Sequence, residues 1–112
     1  MSRPNLNRSL TLEAPLRAGD GAGGFVSDWQ ALGILWAEVK PGSGRETAAF
    51  AATVSRVRYR ITVRAAPYGA PSRPVAGQRF REGTRVFAIQ AVSERDADPH
   101  YLVCHVEEEM VS

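Results

Sequence analysis

Apolar and polar side chains alternate without interruption along residues 56–64, which read Arg-Val-Arg-Tyr-Arg-Ile-Thr-Val-Arg. Successive side chains of an extended strand point to opposite faces. One face would therefore carry Val57, Tyr59, Ile61 and Val63, and the other Arg56, Arg58, Arg60, Thr62 and Arg64. The pattern predicts a strand whose apolar face lies in a core. The arginine face must be solvated, paired with carboxylates or directed at phosphate.

The chain has the size of one domain. It has 112 residues, 44% of them hydrophobic, and a domain of this size buries roughly two thirds of its unfolded surface. It contains no run of about 18 apolar residues, and its N-terminus lacks the apolar segment of a secretory signal. We therefore expect one soluble, intracellularly made domain over residues 1–112, with a flexible arm at 1–7 and a tail at 110–112.

Metal, redox and catalytic chemistry have few candidate residues. The chain has one cysteine, Cys104, and two histidines, His100 and His105, so it offers no internal disulfide and no plausible structural zinc site. Cys104 and His105 are adjacent, so in a strand they would face opposite sides, and Cys104 is better explained as a small buried apolar residue. We expect no enzymatic activity, no catalytic residues, no metal and no cofactor.

The net charge of +2 conceals an uneven distribution. Residues 56–85 contain eight arginines and one acid, Glu82, which gives +7, so the remaining residues carry −5. A terminal acidic run is either a solvated tail or a partner for a basic surface, and we favour the second. The candidate subunit-interface or channel residues are Arg56, Arg58, Arg60, Arg64, Arg79, Arg81, Arg85, Glu107, Glu108 and Glu109.

Period-2 alternation recurs along the rest of the chain. Leu10, Leu12 and Leu16 indicate a first strand. Residues 25–39 indicate two strands or one bent strand, with Gly33 at a bulge or tight turn. Residues 85–92 indicate a strand with a local irregularity before Val92, residues 93–99 a polar turn, and residues 101–107 a last strand. The predicted core comprises Trp29, Trp36, Tyr59, Ile61, Val63, Phe87, Ile89, Leu102 and Cys104.

Glycine and proline separate these strands. Residues 19–24 satisfy the phosphate-binding pattern G-x-G-x-x-G, but no helix signature follows, so they are better explained as a strand-linking loop. Residues 45–54 suit a short helix or a mobile loop equally, and the proline-rich residues 65–77 indicate a surface connection. The fold class is all-β: a small antiparallel barrel or sandwich of about five to six strands with long loops and room for one short helix.

The order and spacing of the landmarks resemble the head-tail adaptor proteins, also called head closure or stopper proteins, of long-tailed bacteriophages and phage-like gene transfer agents. The resemblance spans about residues 8–109. It rests on Asp20, Gly23-Gly24, Trp29, Trp36-Ala37-Glu38-Val39, Pro41, Ser43-Gly44, Glu46, Tyr59-Arg60-Ile61-Thr62-Val63-Arg64, Phe87-Ala88-Ile89-Gln90-Ala91-Val92 and the strand Leu102-Val103-Cys104 ending in acids.

The resemblance implies a structural virion protein that forms a homo-oligomeric ring, sixfold or twelvefold, at the head-tail interface. A portal or adaptor ring would lie above it and a tail terminator or tail tube protein below it. The ring would close the DNA-filled head, dock the tail and let double-stranded DNA pass without sequence preference, with no membrane involved. The candidate gating loop comprises Pro41, Gly42, Ser43, Gly44, Arg45 and Glu46.

Three roles for the arginine face stay open: pairing with a neighbouring subunit, lining the channel, and ordinary solvation. We favour pairing, because a ring joins two different faces of identical subunits and the chain has both a basic and an acidic part. The alternative function is a basic β-barrel that binds single-stranded nucleic acid without sequence specificity. That function would use the arginines together with aromatic side chains, such as Trp29 and Trp36, on which bases stack.

Overall fold

A computed structural model describes residues 3–18, 25–42, 57–96 and 98–109 of the chain, and none of these residues is helical. Six strands form: β1 (Arg8–Ala18), β2 (Phe25–Pro41), β3 (Val57–Arg64), β4 (Arg79–Glu82), β5 (Arg85–Arg95) and β6 (Asp98–Glu109). All neighbouring strands are antiparallel, in the order β1-β2-β3-β6-β5-β4, and β4 pairs with β1 to close a barrel. The predicted all-β antiparallel fold is confirmed, and the residue range 25–39 forms one strand.

The barrel interior is filled by alternate residues of the strands, as the period of two requires. Its buried hydrophobic residues are Leu10, Leu12, Ala37, Ile61, Val63, Phe80, Phe87, Ile89, Leu102, Cys104 and Val106. Tyr59 is partly buried against this cluster, and its ring meets the Phe87 ring edge to face, with centroids 5.6 Å apart. Since apolar burial is the main favourable term in folding, the alternation along β3, β5 and β6 specifies most of the core.

Four register shifts occur in the described strand pairs, and two of them lie where the sequence indicated an irregularity. The β1–β2 register shifts between Leu12 and Glu13, opposite Gly33, whose φ is +152°. The β5–β6 register shifts between Ile89 and Ala91, and Val92 then packs against the core. A bulge adds one residue to one strand of a pair, so the side chains beyond it change face. Each of the two shifts thereby returns an apolar residue to the interior.

The strands differ from the sequence prediction in two places. β4 was not predicted, although its Phe80 is fully buried. The predicted polar turn at 93–99 is wrong in extent, because β5 continues to Arg95, β6 begins at Asp98, and Arg95 lies opposite Asp98. Residues 65–77 form the predicted connection without a strand, yet Pro74 within it is fully buried. The loop at 19–24 and the helix-or-loop segment at 45–54 lie outside the described residues.

The strand order gives the barrel two distinct ends. At one end, called here the charged end, lie the start of β1, the end of β2 and the Glu82–Arg85 turn. At the other end, called here the hairpin end, the β1–β2 pair extends past its neighbours: β2 pairs with β3 only from Ala37 to Pro41, and β1 pairs with β4 only from Thr11 to Glu13. The β5–β6 hairpin also turns past the end of β3, and its Arg95 and Asp96 line a cavity with Lys40, Arg60 and Thr62, so the turn lies over the outer face of β2 and β3.

Candidate functional site

The outer face of β3 carries the arginine row expected from the sequence. Arg58, Arg60 and Arg64 are exposed, whereas Arg56 lies outside the described residues. Thr62 departs from the pattern, because it is only 6% exposed. The row is therefore interrupted between Arg60 and Arg64 by a buried polar residue.

Arg58 and Arg60 differ in what lies across the sheet from them. Arg58 is opposite Glu107 of β6, and its Nε lies 3.5 Å from a Glu107 carboxylate oxygen. Arg60 is opposite Lys40 on β2 and His105 on β6. Within the described ranges Arg60 forms no ion pair, so its positive charge is available to a partner.

Glu13 is a buried carboxylate that neutralises two arginines of β4. Its Oε1 accepts a hydrogen bond of 2.7 Å from Arg79 Nε, and its Oε2 accepts one of 2.9 Å from Arg81 Nε. Glu13 is opposite Arg79 in the β1–β4 pair and is only 5% exposed. The Arg79 guanidinium also lies over the Trp29 ring, 4.1 Å from its centre, in cation–π geometry. Sequence reasoning missed Glu13, whose only signal was one acid inside an apolar strand segment.

A second ion-pair network closes the charged end of the barrel. Arg85 donates from Nε and Nη2 to the two carboxylate oxygens of Glu108, at 2.8 and 3.1 Å. Arg8 pairs in the same two-pronged way with Glu82, and Arg85 Nη1 lies 3.8 Å from Glu82. The Tyr59 hydroxyl is 3.4 Å from Arg85. Two-pronged arginine–carboxylate pairs are among the stronger polar contacts in proteins, so this network caps the apolar core with matched charges.

The network shifts the titration of its members. The hydrogen bond from Arg8 holds the pKa of the Glu82 carboxyl below its usual value, and the hydrogen bond from Arg85 does the same for the pKa of Glu108. The same bonds raise the pKa of both guanidinium groups. All four groups are therefore charged at neutral pH.

Most of the predicted interface or channel residues have partners within the chain. Six of them form ion pairs with other residues of the barrel: Arg58, Arg79, Arg81, Arg85, Glu107 and Glu108. Arg60, Arg64 and Glu109 are exposed and form no ion pair with the described part of the chain. The acidic run thus serves a basic surface, as the sequence indicated, and that surface belongs to the same molecule. Roles at an interface or in a channel stay predictions.

Two residues of the candidate gating loop can be located. Pro41 ends β2, and the Gly42 amide donates to the Arg58 carbonyl oxygen at 2.9 Å. A Cβ at position 42 would lie 3.2 Å from backbone atoms of Arg58. The close approach of these two backbone segments therefore favours glycine at this position. Both residues are at the charged end of the barrel. Ser43, Gly44, Arg45 and Glu46 lie outside the described residues, and the gating role stays a prediction.

The tryptophans are not core residues, and this corrects the sequence prediction. Trp36 lies on the outer face of β2 and is 59% exposed, next to Ile34 at 67%. Trp29 is half-buried and is covered by Arg79. The phase of β2 explains the error: Ala37 faces the interior and is fully buried, so Trp36 must face outward. The exposed pair of Ile34 and Trp36 is a candidate contact surface.

The cysteine and histidine side chains, which could serve in catalysis or metal binding, occupy structural positions. Cys104 is buried in the core, and burial raises the pKa of its thiol to about 12, so it stays protonated at neutral pH. His100 Nδ1 lies 2.9 Å from Asp98 on an exposed strand end. No cluster of metal-binding side chains occurs among the described residues. The same part of the chain contains no helix with the length and hydropathy needed to cross a membrane.

Comparisons with known proteins find similarity over nearly the whole chain. A chain in the virion of a native gene transfer agent particle is 55% identical, with a TM-score of 0.83, and the match covers 98% of this chain and 100% of that one. A protein of Shigella flexneri 2a, known from its solution structure, is 23% identical with a TM-score of 0.65 and 96% coverage of both chains; it shows the shared fold alone. None of the curated proteins compared with the chain matches it.

The family comparison agrees with the resemblance drawn from the sequence landmarks. Residues 1–109 match the family described as phage head completion protein. A structural, non-enzymatic role agrees with that description. The chain belongs to the phage head completion protein family.

Proposed function

We propose that this protein is a structural subunit of a ring below the portal or adaptor of a phage-like particle. The ring closes the DNA-filled head, docks the tail terminator or tail tube, and forms part of the DNA exit channel. The observation that carries the proposal is the 55% identity, over 98% of the chain, to a protein in the virion of a gene transfer agent. Membership in the head completion family supports the same position.

The shape of the subunit is compatible with this role. A closed barrel leaves few strand edges for uncontrolled association, and its β1–β2 hairpin extends past the neighbouring strands at one end. A symmetric ring joins two different surfaces of each subunit. The extended β1–β2 hairpin and the outer face of β3, with its exposed Arg58 and Arg60, provide two such surfaces.

Few of these arginines lack a carboxylate partner within the chain, and this supports a channel that releases DNA. Four of the six described arginines singled out from the sequence are neutralised by carboxylates of the same chain. Weak, sequence-independent phosphate contact would then come from Arg60, whereas its neighbour Lys40 lies 3.8 Å from a Glu38 carboxylate oxygen. A channel with few free cations does not retain the DNA that it must pass. In this proposal the gating loop that begins at Pro41 leaves the charged end.

Electron microscopy of particles made with and without the gene tests the proposal. We expect particles that lack the protein to have DNA-filled or leaking heads without tails, because the head is neither closed nor fitted for a tail. Complementation with the wild-type gene is the control and should restore tailed particles. Normal tailed, filled particles in the absence of the gene would refute the proposed function.

Single-stranded nucleic acid binding is a second candidate, favoured by the exposed Trp36 ring near the exposed Arg64. Stacking on an aromatic ring beside a cation is how such proteins bind bases. Fluorescence anisotropy with a labelled oligonucleotide at several salt concentrations separates the two functions. For the head-closure function we expect weak oligonucleotide binding that is lost at high salt and that Trp36→Ala does not change. Tight binding by the isolated monomer, lost in Trp36→Ala, would favour the second candidate.

A further inference from the structure

β2 has a long free edge on the side where β3 leaves it. Among the described residues, β2 pairs with β3 only over residues 37–41, so the stretch 25–36 pairs with β1 alone. The chain after β3 stays with β6, because the Ala65 amide donates to the His100 carbonyl oxygen at 2.8 Å. The stretch 25–36 contains no proline, so each of its residues has a backbone N–H. A free strand edge of this kind is a template for a further strand.

An apolar groove, called here the wedge, lies between this edge and the chain after β3. Ile34 and Trp36, which are 67% and 59% exposed, line it together with Leu6, Arg64 and Ala66. Its volume of about 260 Å³ is below the roughly 300–1,000 Å³ that is typical of small-molecule sites. A strand edge beside small apolar pockets is typical of β-augmentation, in which backbone hydrogen bonds give affinity and alternate side chains fill the pockets.

The β5–β6 turn leaves the wedge open. Its Arg95 and Asp96 line a separate cavity with Glu38 and Thr62, farther along β2 and β3. No residue of that turn is among the described residues that line the wedge, and the Trp36 side chain stays 59% exposed. The wedge is therefore accessible to another chain.

The charge of the wedge limits what can occupy it. Among the described residues that line it, Arg64 alone is charged, and Arg64 is exposed and forms no ion pair with a described residue. A second guanidinium lies beside the wedge, because Arg73 Nη1 donates to the Ala66 carbonyl oxygen at 2.8 Å. Opposite charges favour association and like charges oppose it. A strand that enters the wedge should therefore carry an acid and no base.

The described part of this chain does not supply such a strand. Its segments of more than two residues outside the strands are 3–7 and 65–78, and neither contains an acid. Its acids lie in paired strands or in the β5–β6 turn, which already lies over the outer face of β2 and β3. An acidic segment of a different protein therefore fits the wedge better than a second copy of this chain.

We infer that the wedge receives an extended segment of a different virion protein, one that carries apolar side chains and an Asp or Glu beside them. The segment pairs with the free edge of β2, covers Ile34 and Trp36, and places its carboxylate at Arg64. This inference rests on the proposed function for the particle in which the partner occurs. It adds the surface to which that partner attaches and the chemistry of the attaching segment.

Photo-cross-linking in assembled particles tests the inference. Gene-deleted particles are complemented with Trp36→p-benzoylphenylalanine, irradiated, and the cross-linked peptide is sequenced by mass spectrometry. We expect a segment of another virion protein with an Asp or Glu within about three residues of the cross-link, a span of roughly 10 Å along a strand. Val57→p-benzoylphenylalanine, at an exposed apolar position of the charged end, is the matched control and should not give this product.

The identity of the cross-linked product decides the outcome. A cross-link from position 36 to nucleic acid, to a second copy of this chain or to a segment without an acid would overturn the inference. The absence of any cross-link in assembled particles would overturn it as well.

Charge variants at Arg64 test the electrostatic part of the inference, with tailed particles counted by electron microscopy. Arg64→Glu should reduce the count at least tenfold, because it brings two acids together, whereas Arg64→Lys should retain most of it. Arg17→Glu, at another exposed arginine, is the control and should leave the count unchanged. Thermal unfolding of each purified variant checks that the fold is intact. Equal counts for Arg64→Glu and wild type would contradict the role of this cation.

The outcomes separate this inference from the proposed function. If deletion of the gene abolishes tailed particles while Arg64→Glu complements fully and position 36 gives no cross-link, the proposed function stands and the wedge inference fails. If deletion leaves normal tailed particles, the proposed function fails. Cross-linking from position 36 in particles that contain the protein then tests the wedge by itself.

Discussion

At the scale of single residues, Glu13 determines how much of the positive charge of β4 reaches the surface. One carboxylate, 5% exposed, accepts hydrogen bonds from Arg79 and Arg81. Burial of an ionised group is tolerated when its partners satisfy it and becomes costly when they are removed. The two arginines are therefore better described as partners of Glu13 than as a free basic patch.

Glu13→Gln should destabilise the barrel measurably. The amide keeps the size of the side chain but leaves two guanidinium groups without a compensating charge, so we expect a loss of about 2 kcal/mol in the free energy of unfolding. Urea unfolding followed by circular dichroism measures it. Glu109→Gln, at an exposed residue without an ion pair to a described residue, is the control and should change the value by less than about 0.5 kcal/mol. Equal losses in both variants would contradict this account of Glu13.

Cys104 should be unreactive in the folded protein. It is fully buried in the core, and burial raises the pKa of its thiol to about 12, so neither access nor the reactive thiolate is available at pH 8. We expect a thiol reagent such as dithionitrobenzoate to label one group per chain in denaturant and almost none without it. Rapid labelling under native conditions would mean that the β3–β6–β5 wall opens far more readily than its packing indicates.

At the scale of elements, the bulge in β2 depends on Gly33. Its φ of +152° is a conformation that residues with a side chain rarely adopt, although nothing lies within 4 Å of the position of an added Cβ. Gly33→Ala should therefore cost about 1–2 kcal/mol through backbone strain rather than steric clash. Chemical denaturation provides the measurement, with Ala31→Ser on the same strand as the control. A neutral Gly33→Ala would show that β2 adopts another register at no cost.

The alternation of apolar and polar residues predicted the strands that bury several apolar side chains in succession. It could not predict a strand that buries only one side chain. β6 buries the three successive alternate residues Leu102, Cys104 and Val106, and β3 buries Ile61 and Val63 with Tyr59 partly buried, so the alternation in both strands was clear from the sequence. β4 has four residues and one buried side chain, Phe80, which is too short for a period to appear. Its position is decided by pairing with β1 and β5, and long-range pairing leaves no local signal.

The sequence predicted that arginines and acids would form a charged site, but it could not predict which arginine pairs with which acid. The arginine face of β3 follows from alternation alone. Which arginine meets which acid depends on which strands pair: Arg85 meets Glu108 through the β5–β6 hairpin, and Arg79 meets Glu13 through the β1–β4 pairing that closes the barrel. Trp36 illustrates the same limit: its hydrophobicity suggested the core, but the phase of β2 directs it outward.

At the scale of the whole molecule, the barrel separates two kinds of surface. The charged end is closed by matched ion pairs between Arg8, Glu82, Arg85 and Glu108. The hairpin end carries the exposed Ile34 and Trp36 and the exposed Arg64. Intrachain pairing therefore stabilises one end, whereas the other end has groups left for contact with further copies or other virion proteins.

The matched charges at the charged end should make stability fall in acid. The folded-state pKa values of Glu82 and Glu108 are lowered by their arginine partners, whereas in the unfolded chain both titrate near about 4.3. A carboxyl group with a lowered folded pKa contributes stability that is present above its unfolded pKa and is lost as pH falls through the folded pKa. The free energy of unfolding should therefore be nearly constant from about pH 7 to pH 5 and should decline below about pH 4.5.

Arg85→Gln tests the part of this decline that depends on Arg85, which comes mainly from Glu108 and to a smaller extent from Glu82. Without the guanidinium, the pKa of Glu108 moves toward its unfolded value, so the variant should be less stable than wild type at pH 7 and should lose less stability between pH 5 and pH 2.5. Asp98, whose pKa is lowered by hydrogen bonds from His100, keeps its own acid dependence in both proteins and cancels in the comparison.

Arg64→Gln, which removes an exposed arginine without an ion pair to a described residue, is the control and should follow the wild-type curve. Parallel curves for wild type and Arg85→Gln, from urea unfolding at each pH, would mean that the two-pronged pair with Glu108 does not persist in solution.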